Sequence, residues 1–268
     1  SKFFNYDIKN GIILAEENVK IENRTNDYTI NANLITYDIK NETIFTKGKT
    51  TALINSKYDL NSEDVVYLKK PMIISSNKKS IIFDKLNLYN LNTFKYNLKE
   101  KELRGEKIII TSNYNLPESD KFYFKNGIIN LDTQNFIASD TEIEIHKDIF
   151  GDKNNDPRLK GVSAIKKDNI ITVNKGIFTS CKKTENCPPW SMQAKEVKHD
   201  KNKKQLIYND AVLRVYDFPV LYFPKFFHPD PTVRRQSGFL QPQLNSSEEL
   251  GDSLHVPYFH VISEKKDI

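Results

Sequence analysis

The chain has 268 residues, of which 38% are hydrophobic and 28% charged, with a formal net charge of +5 and a mean hydropathy of −0.59. This length allows one large all-β domain or two smaller domains. The composition is polar for a globular enzyme, but 16 Phe and 13 Tyr argue against disorder. The charges are isolated lysines among acidic residues, which argues against a nucleic-acid-binding patch. An elongated β structure with a thin core fits these facts.

Short alternating runs of Ile, Val, Tyr, Phe and Thr recur along the chain, and helical periodicity is almost absent. In the first clear strand, strict alternation places Tyr28, Ile30, Ala32 and Leu34 on one apolar face, opposite a polar face. The same pattern, with a small residue in its middle, returns as Tyr58, Leu60, Ser62, Val65 and Tyr67, as Trp190, Met192, Ala194, Val197 and His199, and more weakly as Phe136, Ala138 and Ile143. Such units need stacked neighbours, and their irregular spacing favours antiparallel hairpin-like layers over a strict β-helix.

The segment 216–262 is rich in proline and aromatic residues. Five of the eleven prolines fall between Pro219 and Pro242. Proline fixes φ and lacks a backbone donor, so this segment predicts an extended, edge-like passage into a second structural regime. From Gly251 onward, an alternation over about ten residues is typical of one transmembrane β-strand. The sequence contains no apolar run of about 18 residues and no signal-peptide h-region at its start.

Cys181 and Cys187 are the two cysteines of the chain. A zinc site is not expected, because about four ligands are needed and no second Cys or His pair lies near. The spacing allows a local disulfide or pairing with cysteines elsewhere, and either indicates an oxidising compartment. Two inert thiols in a loop are the alternative.

The sequence offers no catalytic constellation. No nucleophile signature and no glycine-rich phosphate loop occurs. The histidines do not fall into a metal-binding spacing; they are His146, His199, His228, His255 and His260. We therefore predict a protein that is not an enzyme, with no metal and no cofactor.

The repeated apolar faces suggest a continuous interior. Layers of antiparallel strands can enclose a trough that suits an acyl chain, whose burial contributes about 0.8 kcal/mol per CH₂. In the alternative interpretation the same residues pack on one another, as in a structural or adhesin-like β-solenoid.

Five motifs between Asp156 and Tyr258 resemble the LptD family of outer-membrane lipopolysaccharide-assembly proteins, and they occur in the family's order. The repeats before Asp156 resemble OstA-type periplasmic domains less specifically. The motifs are Asp156-Pro-Arg-Leu-Lys-Gly, Gly176-Ile-Phe-Thr-Ser-Cys, Cys187-Pro-Pro-Trp-Ser-Met-Gln-Ala, Pro219-Val-Leu-Tyr-Phe-Pro and Arg235-Gln-Ser-Gly-Phe-Leu-Gln-Pro.

The resemblance implies a V-shaped periplasmic β-jellyroll over 1–224, followed at 225–268 by a junction and the first strands of an outer-membrane β-barrel. It implies transport of lipopolysaccharide, by its lipid A chains, from a periplasmic bridge jellyroll protein of the LptA type to a barrel that opens laterally. A plug lipoprotein of the LptE type and the outer membrane are the other implied partners. A bridge protein of the same jellyroll type is an alternative for the chain itself.

The resemblance also implies roles for individual residues. Pro242 and Pro257 stand where family prolines weaken strand pairing at the lateral opening. Cys181 and Cys187 match family cysteines that can bond to cysteines near the barrel's C-terminal end. Together with the repeats, the resemblance predicts a lipid-lining set of Tyr28, Ile30, Ala32, Leu34, Leu60, Val65, Phe136, Trp190, Met192, Ala194, Val197, Leu206, Val212 and Leu221.

Overall fold

A computed structural model describes residues 1–24, 27–117, 119–146, 156–183, 189–230, 233, 237–239, 243–247, 251–255, 257–263 and 266–268. Its strands are β1 (Phe3–Asp7), β2 (Ile12–Asn23), β3 (Tyr28–Asp38), β4 (Thr43–Ile54), β5 (Tyr58–Glu63), β6 (Val66–Leu68), β7 (Ile73–Ser76), β8 (Ser80–Asp84), β9 (Asn87–Leu91), β10 (Thr93–Asn97), β11 (Glu102–Thr111), β12 (Lys121–Asn130), β13 (Phe136–Glu144), β14 (Arg158–Lys167), β15 (Ile170–Thr179), β16 (Trp190–Asp200), β17 (Gln205–Val215), β18 (Phe218–Pro229), β19 (Gly238–Phe239), β20 (Gln243–Ser247), β21 (Gly251–His255), β22 (Tyr258–Phe259), β23 (Val261–Ser263) and β24 (Lys266–Asp267).

Strands β1 to β18 form one antiparallel sheet in which successive long strands pair by hairpins. The layers between β4 and β11 are broken strands: β5 and β6 both pair with β4, and β9 and β10 both pair with β11. The all-β, antiparallel, jellyroll-type layering predicted from the sequence is therefore confirmed. No helix that could cross a membrane occurs in the part of the chain that the structure describes.

Each long strand is interrupted near its middle by one residue, or in β2 by the two residues Glu17 and Asn18, that pairs with neither neighbouring strand. In β15, for example, Asn174 and Gly176 pair with β16 while Lys175 between them does not. On alternate strands the interrupting residue has a left-handed backbone, with φ of 47° at Lys107, 45° at Asp140 and 50° at Lys175. We call the resulting row the bend line; between β11 and β18 it consists of Lys107, Lys125, Asp140, Val162, Lys175, Lys195, Asp210 and Pro224.

The bend line divides the sheet into two arms that fold onto each other. Arm A comprises 19–23, 28–32, 49–63, 80–91, 109–117, 119–124, 141–146, 158–160, 177–179, 190–193 and 212–222. Arm B comprises 3–16, 34–47, 66–76, 93–106, 126–139, 163–174, 196–209 and 225–229. The ring centres of Phe122 on arm A and Phe136 on arm B lie 5.9 Å apart, although the two residues are not paired in the sheet. The inner faces of both arms thus form one apolar cluster.

After the large sheet, the described residues form short strand pairs. β20 and β21 form a hairpin, β19 pairs with β22, and β23 pairs with β24. Strand β18 continues to Pro229 and so includes residues on both sides of the expected domain boundary at 224 and 225; the division into two domains stays a prediction. Pro257 lies between β21 and β22, outside both strands, and Pro242 lies outside the described residues.

Candidate lipid-binding interior

The space between the arms is lined by side chains that cross-strand pairing aligns in rows. One such row crosses arm B through Val173, Val197 and Tyr208, all of them fully buried. Ten of the predicted lining residues are buried on these inner faces; they are Tyr28, Ile30, Ala32, Leu60, Val65, Phe136, Met192, Ala194, Val197 and Leu206. Trp190 is half-buried and packs against the same cluster. The structure thus brings most of the predicted set together in one continuous interior.

The predicted alternation is wrong at Leu34 and Val212. The pairing shifts between Ala32 and Leu34, so Leu34 faces outward beside the exposed Lys47, and Ile35 becomes the buried residue. An interruption in a strand reverses which residues face the core, because side chains otherwise alternate with a period of two. In β17 the unpaired residue before Ala211 has the same effect, so Val212 lies on the outer face.

Small residues line the inside of the bend. Gly176 on β15 pairs with Ala194, and a Cβ atom added to Gly176 would lie 2.5 Å from Cγ2 of Val197. A Cβ on Gly105 would lie 2.6 Å from Cδ2 of Leu91 and 2.9 Å from a backbone oxygen. Because such distances are shorter than carbon–carbon contact, the arms can approach this closely only where side chains are minimal.

At the opposite side, which we call the mouth, polar side chains join the tips of the two arms. The Tyr58 hydroxyl of arm A donates to Oδ1 of Asp132, 2.7 Å away in the β12–β13 turn of arm B. The Tyr89 hydroxyl donates to Oε1 of Gln134 at 2.7 Å, and Gln134 donates to Asp84 at 3.2 Å. These bonds hold the arms together where no backbone connects them.

A third cross-mouth contact joins Lys201 of arm B to Asp120 of arm A. Lys201 Nζ lies 2.7 Å from Oδ2 of Asp120, and the backbone N–H of His146 donates to the other carboxylate oxygen at 3.0 Å. The same ammonium lies 5.9 Å from the centre of the Phe122 ring. The mouth therefore combines polar tips with an apolar floor.

The inner face is uncovered at both ends of the sheet. At the first edge, Phe4 and Tyr6 of β1 continue the inner face of β2 but are 67% and 46% exposed. At the last edge, the predicted lining residue Leu221 pairs with Leu213 and is 52% exposed, and Phe218 is 76% exposed. Apolar surface thus extends from the first edge, through a sealed middle, to the last edge.

An aromatic and histidine cluster closes arm B near the last edge. The His228 ring lies 5.1 Å from the Phe178 ring, and its Nε2 shares a 2.7 Å hydrogen bond with the Tyr208 hydroxyl. Burial lowers the pKa of His228 below its usual value. The neighbouring His199 pairs with the buried Asp230 at 2.8 Å. These histidines therefore have structural contacts within the fold.

One groove lies outside this interior. It measures about 720 Å³ and lies on the outer face of the sheet beside the bend line, where Ile109, Tyr123 and Ile177 alternate with charged residues. Two ion pairs, Lys125 with Asp140 and Lys160 with Glu142, occupy its surface. The sheet itself separates this groove from the inner faces, so we do not assign the lipid route to it.

Neither cysteine has a described disulfide partner. Cys181 is a half-buried free thiol, and Cys187 lies outside the described residues. Within the described ranges no cluster of three or more His, Cys, Asp or Glu side chains could hold a metal ion.

Comparison with known proteins gives several relatives of one kind. The LPS-assembly protein LptD of Hahella chejuensis is 32% identical over 140 residues, which is 52% of this chain and 16% of that protein. LptD of Pseudomonas aeruginosa strain UCBPP-PA14 is 35% identical over 98 residues, covering 37% of this chain and 10% of the relative. LptD of Pseudomonas putida strain F1 is 26% identical over 224 residues, which is 82% of this chain and 22% of that protein. The chain belongs to the LptD family.

The family resemblance drawn from the five motifs is thereby confirmed. The Pseudomonas putida match is longer than the motif region, so the relationship to LptD extends into the repeats before Asp156. The chain spans about a fifth or less of the length of these LptD proteins. No family model matches the chain.

Proposed function

We propose that this part of an LptD protein carries the acyl chains of lipopolysaccharide through its interior towards the outer membrane, without catalysing a reaction. The observation that carries the proposal is the apolar inner face, which is continuous between the arms and uncovered at both sheet edges. Each acyl CH₂ that leaves water for this surface gains about 0.8 kcal/mol. A chain can therefore slide between equivalent apolar positions without strong binding at any of them.

The two edges suit entry and exit. Among the described strands β1 pairs only with β2, and Phe3–Asp7 contains no proline, so its second edge can accept a further strand from a periplasmic bridge domain of the same jellyroll type. Strand β18 carries Pro219, Pro224 and Pro229, which lack donors and oppose such addition. We infer that lipid enters at β1 and leaves beside β18, where the chain continues towards the barrel, its lipoprotein plug and the outer membrane.

Opening of the mouth is the step that admits lipid into the sealed middle. The bend is continuous backbone, whereas only side-chain contacts such as Tyr58 with Asp132 and Lys201 with Asp120 join the arm tips. A hydrogen bond of this kind contributes about 0.5–1.5 kcal/mol, and a partly exposed ion pair contributes about 0–1 kcal/mol. Acyl chains that enter replace the contacts between the inner faces with contacts to lipid.

Site-specific photocrosslinking in cells tests the route. A photoreactive residue at Leu221 or Phe4 faces the uncovered inner surface, and one at Tyr222 or Asn5 occupies the adjacent outward position as a matched control. We expect lipopolysaccharide adducts from the first pair only. Adducts from Tyr222 and Asn5 alone would contradict the proposal.

A permanently filled β-solenoid is the second candidate, and the tight packing of the middle favours it. Tyr58, Leu103 and Val197 are fully buried by the protein's own atoms. In that case the purified protein carries no lipid and the arms do not separate when lipopolysaccharide is added. Native mass spectrometry distinguishes the two functions, because a carrier retains lipid A and a solenoid does not.

A further inference from the structure

One charged side chain belongs to the apolar inner face. Lys166 on β14 pairs with the buried Phe136 on one side and with the buried Ile171 on the other. Cross-strand partners share a face, so the stem of Lys166 lies on the interior side of arm B. Among the described residues, none forms a hydrogen bond or ion pair with its ammonium. A half-buried cation without a counterion is costly to the free protein.

Strand pairing brings Lys166 to the mouth end of arm B, because the adjacent Lys167 pairs with Ile170 and Ile170 pairs with Asp200, which precedes Lys201 of the Lys201–Asp120 ion pair. Burial is the main cause that lowers the pKa of Lys166, and the charge of Lys201 adds to it while that of Asp120 opposes it. The side chains of Lys201 and Asp120 are themselves only 35% and 13% exposed. Two ammonium groups thus face one carboxylate, and the cluster has one positive charge in excess.

We propose that Lys166 and Lys201 form an anion site at the mouth, which binds a phosphate group of an amphiphile whose acyl chains fill the interior below. This inference rests on the proposed function, since it assumes acyl chains between the arms. The geometry places a polar head at the arm tips and apolar tails over Phe136 and Phe122, which lie 5.9 Å apart. Asp120 already pairs with Lys201, so a bound phosphate must compete with the Asp120 carboxylate for this ammonium.

The test measures binding of diphosphorylated lipid A and of the same lipid with its phosphates removed. Lys166→Met keeps the apolar stem and removes the charge, and Lys167→Met is the matched control because Lys167 is exposed at the next position of the strand. We expect Lys166→Met to weaken binding of the diphosphorylated lipid about tenfold, because one charge-assisted contact is lost. Binding of the dephosphorylated lipid stays unchanged, as does every affinity of Lys167→Met.

Asp120→Asn supplies a gain-of-function arm. It removes the competing charge but keeps an oxygen that can accept the His146 N–H, so we expect tighter binding of the phosphorylated lipid. Inorganic phosphate that displaces this lipid from the unmodified protein, but not from Lys166→Met, would assign the site to phosphate in general. Lack of displacement would assign it to phosphate carried on a lipid.

The failures are distinguishable. If the unmodified protein binds neither lipid, the proposed function and this inference both fall. If it binds both lipids equally, or if Lys166→Met binds like the unmodified protein, lipid carriage stands and the anion site is overturned. An equal loss for both lipids in Lys166→Met would also overturn it, because only packing would then have changed. Circular dichroism and thermal melting confirm that each variant is folded.

Discussion

The bend and the mouth hold the same two arms together by different means. At the bend the long unbroken strands pass from one arm to the other, and Gly176, Ala194 and Ala211 bring the inner faces into close contact. At the mouth the arms are joined by long side chains such as Lys201 and Tyr58, whose bonds span separate turns. The bend therefore tolerates little change in side-chain volume, and the contacts at the mouth only weakly oppose separation of the two arms.

Under the proposed function, this difference gives the two regions different parts in an opening motion. Separation at the mouth costs a few partly solvated polar contacts together with the contact between the inner faces, and incoming lipid can replace the latter. Separation at the bend would require breaking backbone pairing in many layers at once. We therefore expect substitutions at the bend to change stability most, and substitutions at the mouth to change lipid access more than stability.

The largest expected effect comes from Ala194→Asp. Ala194 is buried inside the bend between Gly176 and Ala211, so a carboxylate there would face the small residues that line the bend. An uncompensated buried charge costs about 3–5 kcal/mol, so the midpoint of urea unfolding falls sharply. Protein that still folds should fail to transport lipopolysaccharide.

The matched control for Ala194→Asp is Lys195→Asp, one position along on the exposed bend line. It introduces the same carboxylate into water, and we expect an unfolding midpoint close to that of the unmodified protein. Similar midpoints for the two variants would contradict a packed interior at the bend.

Gly176→Ala tests the same packing with one methyl group. The new Cβ would meet Val197, a stiff β-branched side chain that cannot swing away. Overpacking of this kind costs about 1–3 kcal/mol in the free energy of unfolding. Lys175→Ala changes only an exposed side chain on the neighbouring bend residue and should be nearly neutral. Equal free energies of unfolding for both variants would show that the bend has room for a methyl group at Gly176.

At the mouth, Tyr58→Phe removes one cross-arm hydrogen bond and keeps the buried ring. We expect a loss of about 0.5–1.5 kcal/mol in unfolding free energy and faster uptake of a fluorescent lipid A analogue. Tyr114→Phe is the control, because Tyr114 is an exposed tyrosine whose ring contacts Phe83. Unchanged lipid uptake by Tyr58→Phe would mean that this hydrogen bond does not limit opening of the mouth.

The Tyr58 bond also predicts a pH dependence. The Tyr58 hydroxyl and then Lys57 lower the pKa of Asp132 below the usual aspartate value of 3.8. A carboxyl whose pKa is lower in the folded state stabilises the fold above its unfolded pKa, and this contribution is lost as pH falls through the folded pKa. Acid below about pH 4 should therefore open the mouth, and Tyr58→Phe should reduce the acid sensitivity.

The sequence predicted the layers well because each layer is a local pattern. In β3 the buried residues alternate up to Ala32, and the next buried residue is Ile35, three positions later instead of two. Such a step of three indicates an unpaired residue and therefore predicts the bend. The strict alternation expected at Leu34 missed that signal. The mouth had no signal of this kind. Tyr58 and Asp132 are separated by 74 positions, and Asp120 and Lys201 by 81, so only the folded arms bring them together.

The smallest expected effect concerns the backbone of the bend line itself. Lys175 has a φ of 50°, a left-handed conformation that costs a non-glycine residue about 1–2 kcal/mol. Lys175→Gly removes this cost. Glycine also increases the entropy of the unfolded chain, which lowers the free energy of unfolding by a similar or smaller amount. Lys195→Gly lies on the same line without a left-handed φ and should lose about 0.5–1 kcal/mol. We therefore expect unfolding free energies that are slightly raised for the first variant and lowered for the second. Equal losses in both would mean that the left-handed residues do not set the bend.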